Sequence, residues 1–345
     1  MKKILIALAM IITVVLLLKL GLGFNNISHK TQTLPLSLKN TISFIKQENR
    51  KLYLEVYDED SKLKRTIYLD DTKQELTIPT NICKVNNDKL LIAVGNYDEK
   101  PIKIFMYNAK DGLIENYGKI LASNPNVLIV SNRLFSYRTE VGNYWIDEYN
   151  LDDLNTKVKS IKIPDAPKKI LFSEYNNSLY FLFVGGTPVS SVGIYSFNSE
   201  TLTTESLDEK SFAGDIVVDG GKAYISMSGY SSDGKDNIDD NRILVLNENL
   251  KQERVIITSK SPNLILINGF DMYVTVGRQG VTVEKMDLKS DKLINNFPLS
   301  SSGTPLATEL INNRLFILDS ENLYTIDKNG KDGKSILSGK TMSLW

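Results

Sequence analysis

The sequence is poor in the side chains on which most hydrolases and metal proteins depend. Its 345 residues include one histidine, His29, and one cysteine, Cys83. A nucleophile triad needs an imidazole or a similar base, and zinc and iron sites need clusters of histidine or cysteine. Because His29 precedes the folded region, we expect no histidine-dependent hydrolysis, no zinc or iron centre and no cofactor. Cys83 has no partner for an internal disulfide, and we expect it to be buried as a small apolar residue.

An excess of charge of one sign is also missing. Lysine plus arginine and aspartate plus glutamate each total 41 residues. No strong positive field attracts phosphates, so we expect no nucleic-acid partner. The glycine pairs lack a following Lys-Ser or Lys-Thr, which excludes a phosphate-binding loop of the Walker type.

The first 24 residues, MKKILIALAMIITVVLLLKLGLGF, differ from the rest of the chain. Two lysines precede a run from Ile4 to Leu18 that is apolar except for Thr13, and Lys19 lies near the end of the segment. The length matches the roughly 20 residues that a helix needs to cross a bilayer. Two interpretations remain, an uncleaved signal-anchor that spans the membrane with residues 4–24, or a signal peptide cleaved after Gly23. Since positive charge stays inside, we expect the remaining chain outside the cytoplasm, held at the cell membrane by a single span or secreted.

The rest of the chain has the pattern of an all-β domain. Residues 25–33 are polar and patternless, and we interpret them as a tether. From 34 to 345, short runs of Val, Ile, Tyr, Phe and Leu alternate with polar residues, and clusters of Asn, Asp, Gly and Pro separate them. This alternation is typical of β-strands, and no convincing amphipathic helix interrupts it.

Two short phrases recur along this region at matching intervals. The first is a turn followed by a strand, as in INNRLFIL, and its bulky position recurs at intervals of 43 to 49 residues. The second is a strand that ends in Asn or Asp, as in EVYD at 55 and YTID at 324, and it occurs seven times. The bulky positions of the first phrase are Leu91, Phe135, Tyr180, Tyr224, Tyr273 and Phe316, with a weaker copy at Ser43.

A period of 40 to 50 residues that holds four short strands is typical of a β-propeller blade. One four-stranded sheet cannot bury both of its faces alone, so identical sheets stack around an axis and each must present the same pattern. The Asn, Asp and Gly residues supply the positive φ of tight hairpins, and the bulky residue after them fills the gap between blades. We therefore predict a seven-bladed β-propeller over residues 34–345.

The period and the phrase YVTVGRQGVTVEKMD, which begins at Tyr273, resemble bacterial seven-bladed propellers of the WD-repeat and YVTN type. No repeat carries the Gly-His and Trp-Asp pairs of WD repeats. The resemblance implies a rigid platform that binds a partner or a small ligand, with enzymes as a minority.

Two segments compete for the place of the strand that closes the ring. The C-terminal SGKTMSLW lies where the repeat places a further innermost strand, next to residues 41–47. TLPLSL at 33–38 is the alternative. We favour the C-terminal segment, because tying both ends of the chain together removes exposed strand edges.

The predicted partner surface is the face that carries the loops between the second and third strands of each blade. Tyr, Trp and Arg are enriched at binding hot spots, and those loops contain several of them. Trp145 has a second interpretation, packing between blades at the start of a third strand, and the arginines have one as solvated loop residues. The candidate binding residues are Tyr97, Arg138, Tyr144, Trp145, Tyr230 and Arg278.

An acidic insertion, SGYSSDGKDNIDDNR at 228–242, lengthens the fifth repeat. Its aspartates offer oxygen ligands of the kind that Ca²⁺ prefers, although their spacing departs from the EF-hand form. A solvated hairpin loop is the competing interpretation. The weak calcium candidates are Asp233, Asp236, Asp239 and Asp240.

These observations favour a binding function over catalysis. We expect an extracytoplasmic β-propeller that acts as a binding or scaffold module for a protein, a peptide or a cell-surface glycan. A sensor or assembly subunit that works with another membrane protein is closely related to this hypothesis. The alternative from a different class is a carboxylate-dependent enzyme that modifies glycans or peptides. The sequence selects no pair of carboxylates for it, and we assign no catalytic residue.

Overall fold

The computed structural model describes most of the predicted domain. The described residues are 36–58, 60, 62–71, 80–95, 101–123, 126–184, 190–208, 211–229, 240–277, 281–299, 305–319, 322–338 and 341–344. The predicted signal-anchor or signal peptide (1–24) and the tether (25–33) lie outside them. Within these ranges, no helix has the length and apolar character that a bilayer span requires.

The described strands form seven antiparallel sheets of four strands each, which confirms the seven-bladed β-propeller. Blade 1 contains β1 (Thr41–Glu48), β2 (Lys51–Asp58) and β3 (Leu63–Asp71), preceded on the inside by β28 (Thr341–Leu344). Blades 2 to 7 follow in chain order, each from its innermost to its outermost strand.

Blade 2 contains β4 (Thr80–Asn86), β5 (Lys89–Val94), β6 (Ile102–Asn108) and β7 (Leu113–Ile120), and blade 3 contains β8 (Val127–Val130), β9 (Arg133–Glu140), β10 (Asn143–Asn150) and β11 (Asp153–Ile163). Blade 4 contains β12 (Pro167–Ser173), β13 (Ser178–Val184), β14 (Ser190–Ser196) and β15 (Thr201–Asp208), and blade 5 contains β16 (Ala213–Asp219), β17 (Lys222–Met227), β18 (Arg242–Leu246) and β19 (Gln252–Ile257). Blade 6 contains β20 (Pro262–Asn268), β21 (Asp271–Val276), β22 (Thr282–Asp287) and β23 (Lys292–Pro298), and blade 7 contains β24 (Pro305–Ile311), β25 (Arg314–Asp319), β26 (Asn322–Asp327) and β27 (Lys334–Ser338). One short 3₁₀ turn, Leu38–Asn40, precedes β1.

The alternating direction of the strands gives the ring two distinct faces. The upper face, as we call it, carries the hairpins between second and third strands and the connections between blades. The lower face carries the hairpins between first and second strands and between third and fourth strands. Each innermost strand therefore begins at the upper face and runs along the central channel to the lower face.

The C-terminal strand closes the ring, as the repeat predicted. In the register of β28 against β1, Leu344 lies opposite Phe44, and Ser343 lies opposite Ile45. The other candidate segment has a different role in its described part. Leu38 is fully buried, and its amide donates to the carbonyl of Asn87 at 2.7 Å, so this segment covers the gap between blades 1 and 2 from the lower face.

The repeated turn has the geometry that its residues predicted. In INNRLFIL, Asn312 and Asn313 have φ of 47° and 68°, and Gly220 and Gly221 occupy the same place in blade 5 with 53° and 77°. Two consecutive positive φ values define the two-residue hairpin turn that matches the twist of the strands. The phrase is therefore a hairpin between first and second strands on the lower face.

Seven apolar clusters fill the seven gaps between neighbouring blades in the described structure. The bulky position of the repeated phrase lies in the second strand of each blade, and Phe135, Tyr180 and Phe316 are fully buried there. The sequence repeats because every gap between blades is filled by a bulky side chain at the same position of the second strand. Cys83 is partly buried and packs against the cluster between blades 2 and 3, where desolvation raises the pKa of its thiol to about 12.

Candidate functional site

Three of the six predicted binding residues lie outside the described residues, and three lie in blade 3. The residues outside the described ranges are Tyr97, Tyr230 and Arg278. Arg138 is in β9, and Tyr144 and Trp145 are in β10. The structure thus places the described half of the predicted surface at the upper end of one hairpin.

This hairpin corrects the expectation that Arg138, Tyr144 and Trp145 lie in a loop between the second and third strands. β9 and β10 pair continuously, and only Val141 and Gly142 form the turn, with φ of 48° and 73°. Val141 is 95% exposed at the tip. Arg138 is therefore a strand residue, because the chain needs only two residues to reverse direction here.

Arg138 is held by a buried carboxylate. Its Nε donates to Oδ2 of Asp147 at 2.6 Å, and the side chains of Arg138 and Asp147 are 13% and 0% exposed. Ser160 donates to the other carboxylate oxygen at 2.6 Å, and Nζ of Lys157 lies 3.5 Å from it. The hydrogen bond to Asp147 raises the pKa of Arg138, so its guanidinium stays charged. This arginine has a structural partner in addition to any binding role.

Trp145 lies between two cations on the same side of the blade. The guanidinium carbon of Arg138 is 5.8 Å from its ring centroid, and Nζ of Lys162 on β11 is 6.0 Å from it. Cations are attracted to the electron-rich faces of indole rings at such distances. Trp145 is half-buried and Lys162 is exposed. The site therefore presents an aromatic edge and an exposed lysine on the upper face, while Asp147 and Glu140 pair with the charge of Arg138.

Tyr144 belongs to the opposite side of the same blade, because consecutive strand residues point to opposite faces. Its ring stacks on Tyr137 with centroids 6.3 Å apart, beside the cluster between blades 3 and 4. The structure therefore does not bring Tyr144 and Trp145 into one contact surface. Trp145 shares its side of the sheet with Asp147 and Tyr149, which faces blade 2.

The acidic insertion is described only at its end. Asp233, Asp236 and Asp239 lie outside the described residues. Asp240 accepts from Nε and the second guanidinium nitrogen of Arg242 at 2.8 and 2.6 Å. Burial acts to raise the pKa of Asp240, but the hydrogen bonds from Arg242 outweigh it and hold the pKa below its usual value. This carboxylate is occupied by an arginine. In the described part of the chain, no group of three or more His, Cys, Asp or Glu residues lies together as a metal site requires.

A second site, which the sequence interpretation missed, is the central channel. The innermost strands of blades 4 to 7 enclose a cavity of about 310 Å³. Its charged lining residues are Lys168 and Lys169 on β12, Asp215 on β16 and Glu309 on β24. The signal was present in the sequence, since PKKILF and ATELI carry charges in innermost strands, whereas the equivalent VLIV and NLILI carry none.

Two of these charges neutralise each other. Nζ of Lys169 donates to Oδ1 of Asp215 at 2.7 Å. The other oxygen of Asp215 accepts a hydrogen bond from the amide of Ile265 at 3.0 Å. Both carboxylate oxygens therefore have partners, and the side chain is 5% exposed. Lys168 and Glu309 remain as the uncompensated charges of this cavity.

Comparisons with known proteins give the fold and no function. No protein-family model matches the chain, and no curated protein matches it in sequence. Among solved structures, it is similar to a functionally unknown protein from Desulfotomaculum acetoxidans (14% identity, TM-score 0.64), covering 88% of this chain and 98% of that chain. A proposed 6-phosphogluconolactonase from Bacteroides fragilis gives 11% identity, TM-score 0.63 and coverages of 89% and 98%. Dihydro-heme d1 dehydrogenase NirN is similar at 12% identity and a TM-score of 0.55, and the match covers 89% of this chain and 75% of that chain.

These likenesses show the fold alone. At identities of 11 to 14%, a shared propeller does not carry an activity from one chain to another. Function has to be argued from the residues of this chain.

Proposed function

We propose that this protein is a binding module and that its partner contacts the upper face of blade 3. The observation that carries the proposal is the placement of half-buried Trp145 between Arg138 and Lys162, in the hairpin whose tip is the 95% exposed Val141. A large rigid ring next to cations is the composition of a binding hot spot. The phrase at Tyr273 supports, as part of the same proposal, a place among WD-repeat and YVTN-type propellers.

The chemistry of this surface favours a partner segment that combines an apolar group with a carboxylate. Trp145 and Val141 offer apolar contact area, and Lys162 is exposed to meet a negative charge. Asp147 and Glu140 pair with the guanidinium of Arg138 and hold it beside the ring, so Lys162 is the residue that supplies positive charge to a partner. An acidic peptide or protein loop meets these requirements, and a glycan that bears a carboxylate is the other partner class with suitable groups.

The proposed location is outside the cytoplasm, at the cell membrane or secreted. The support is the sequence of residues 1–24, with lysines before an apolar run of spanning length. We expect protease added to cells stripped of their wall to degrade the propeller. Its full protection, with an external marker protein degraded in the same sample, contradicts this location.

The described channel does not favour the alternative of an enzyme with paired carboxylates. Glycoside cleavage needs two carboxylates with separate roles. Of the two that line the described cavity, Asp215 is committed to Lys169 and to the Ile265 amide. Glu309 is left without a carboxylate partner for that chemistry.

Replacing Trp145 by alanine is expected to reduce partner recovery at least about tenfold, which corresponds to about 1.4 kcal/mol. The physical reason is that hot-spot aromatics contribute most of their contact area to the interface. The measurement is quantitative crosslinking and recovery from intact cells that produce the full chain. Circular dichroism and thermal melting of the purified variant establish that it still folds.

Phe270 provides the matched control on the lower face. It is 63% exposed, and Nζ of Lys289 lies 3.7 Å from its ring centroid, so it also pairs an aromatic ring with a cation. We expect Phe270→Ala to leave recovery unchanged. Loss of recovery in Phe270→Ala with normal recovery in Trp145→Ala identifies the lower face instead.

A further inference from the structure

The central channel contains a half-buried carboxylate, that of Glu309, without a partner in the described structure. Glu309 borders the cavity of about 310 Å³ and also a second one of about 340 Å³ toward the lower face, so it lies where the two meet. No described residue donates a hydrogen bond to it or forms an ion pair with it within 4 Å. Enclosure by the channel walls raises the pKa of Glu309, and attraction to Lys169 and Lys84 only partly opposes this. A carboxylate that is partly removed from water in this way is stabilised by a ligand that donates hydrogen bonds.

The same cavity is lined by a cation, the exposed side chain of Lys168. Nζ of Lys168 donates to the carbonyl of Ala213 at 3.2 Å, which uses one of the three donors of the ammonium group. Desolvation lowers the pKa of Lys168, and attraction to Asp215 opposes this. Asp215 itself is already paired with Lys169. The remaining donors of Lys168 are therefore suited to an acceptor that enters from the channel.

Apolar side chains line the same cavity as these two charges. Leu306 is 50% exposed although it lines the channel, and Leu264, Ile265 and Ala307 lie around it. An accessible leucine inside a channel provides a contact for an apolar group. The volume is at the lower end of the roughly 300–1,000 Å³ of ordinary ligand sites, which favours a small ligand.

We propose that the channel binds a small zwitterion with an apolar body, an α-amino acid or a dipeptide with free termini. Its ammonium group meets Glu309, its carboxylate meets Lys168, and its apolar side chain lies against Leu306. A simple anion leaves the carboxylate of Glu309 unsatisfied and adds repulsion, and a simple amine leaves Lys168 unsatisfied. A zwitterion compensates both charges at once. This proposal is independent of the partner surface at Trp145.

The test is isothermal titration of the purified full chain with L-leucine and with L-leucyl-L-leucine. Isopentylamine, which lacks the carboxylate, and 4-methylpentanoate, which lacks the ammonium group, are the comparison ligands. We expect at least one zwitterion to bind and both comparison ligands to bind at least tenfold more weakly. Absence of binding by both zwitterions at millimolar concentration overturns the proposal, and so does equal binding of either comparison ligand.

Two variants test which channel residue contacts which end of the ligand. Glu309→Gln keeps the shape of the side chain and removes its charge, and Lys168→Met removes the ammonium group. Each is expected to weaken zwitterion binding at least tenfold with an unchanged melting profile. Lys251→Met removes a lysine that lies on the outer part of blade 5, paired with Glu205, and is expected to bind like wild type. Unchanged binding in both channel variants overturns the assignment.

Discussion

Replacing Arg138 by alanine is expected to lower the free energy of unfolding by about 3 kcal/mol, because it leaves a buried carboxylate without its main partner. Asp147 has no exposed surface, and Arg138 supplies its hydrogen bond of 2.6 Å. Ser160 and Lys157 remain beside it and keep the loss at the lower end of the range for a broken buried pair. Equilibrium urea unfolding measures the difference.

Lys162→Ala is the matched control for this variant. Lys162 lies against the other side of the Trp145 ring but is exposed, so we expect a change within about 0.5 kcal/mol. The double variant Arg138→Met with Asp147→Leu is expected to recover much of the stability, since it removes both buried charges. Equal small losses in Arg138→Ala and Lys162→Ala contradict a structural role for the ion pair.

Deleting residues 341–345 is expected to remove a third or more of the roughly 5–15 kcal/mol that stabilise a typical domain. The deletion takes away the inner strand of blade 1 and leaves β1 as an unpaired edge at the channel. Phe44 and Ile45, which are fully buried, lie in β1 next to the strand that is removed. Thermal melting of the two chains measures the effect.

Removing Trp345 alone is the control for the deletion, because this residue follows the last position of β28. We expect its melting temperature to stay near that of the full chain. A deletion of 341–345 that melts like the full chain shows that the ring does not depend on its C-terminal strand.

The architecture could be predicted from the sequence because its cause is repeated. Each gap between blades needs one bulky residue after a tight turn, and the chain supplies it at Phe135, Tyr180 and Phe316 among others. The closure could be predicted for the same reason, since SGKTMSLW continues the period. Because the same turn and bulky residue recur in seven blades, the pattern is recognisable in the sequence, whereas a single occurrence is not.

The geometry of the partner surface could be predicted only in part. The residue types around Trp145 indicated a hot spot, but the sequence did not show that a two-residue turn at Val141 suffices to reverse the chain. Arg138 was therefore expected in a solvated loop, where its removal costs little. The structure pairs it with Asp147 across the hairpin, a contact that depends on register.

The channel site was missed because its residues come from distant repeats. Lys168 and Glu309 belong to blades 4 and 7, and no local spacing links them. Closure of the ring brings their strands around one cavity. Charged residues in strands that are otherwise apolar were the available signal, and their meaning depended on knowing which strand is innermost.

The most direct test of the proposed function is site-specific photocrosslinking from the two faces. A benzophenone amino acid at Val141, the exposed tip of the hairpin that contains Trp145, is compared with one at Phe270 on the lower face, in cells that produce the full chain. A discrete crosslinked partner from position 141 that disappears in Trp145→Ala, with none from position 270, is the predicted result. A partner captured from position 270 alone, or a crosslink at 141 that persists in Trp145→Ala, contradicts the account.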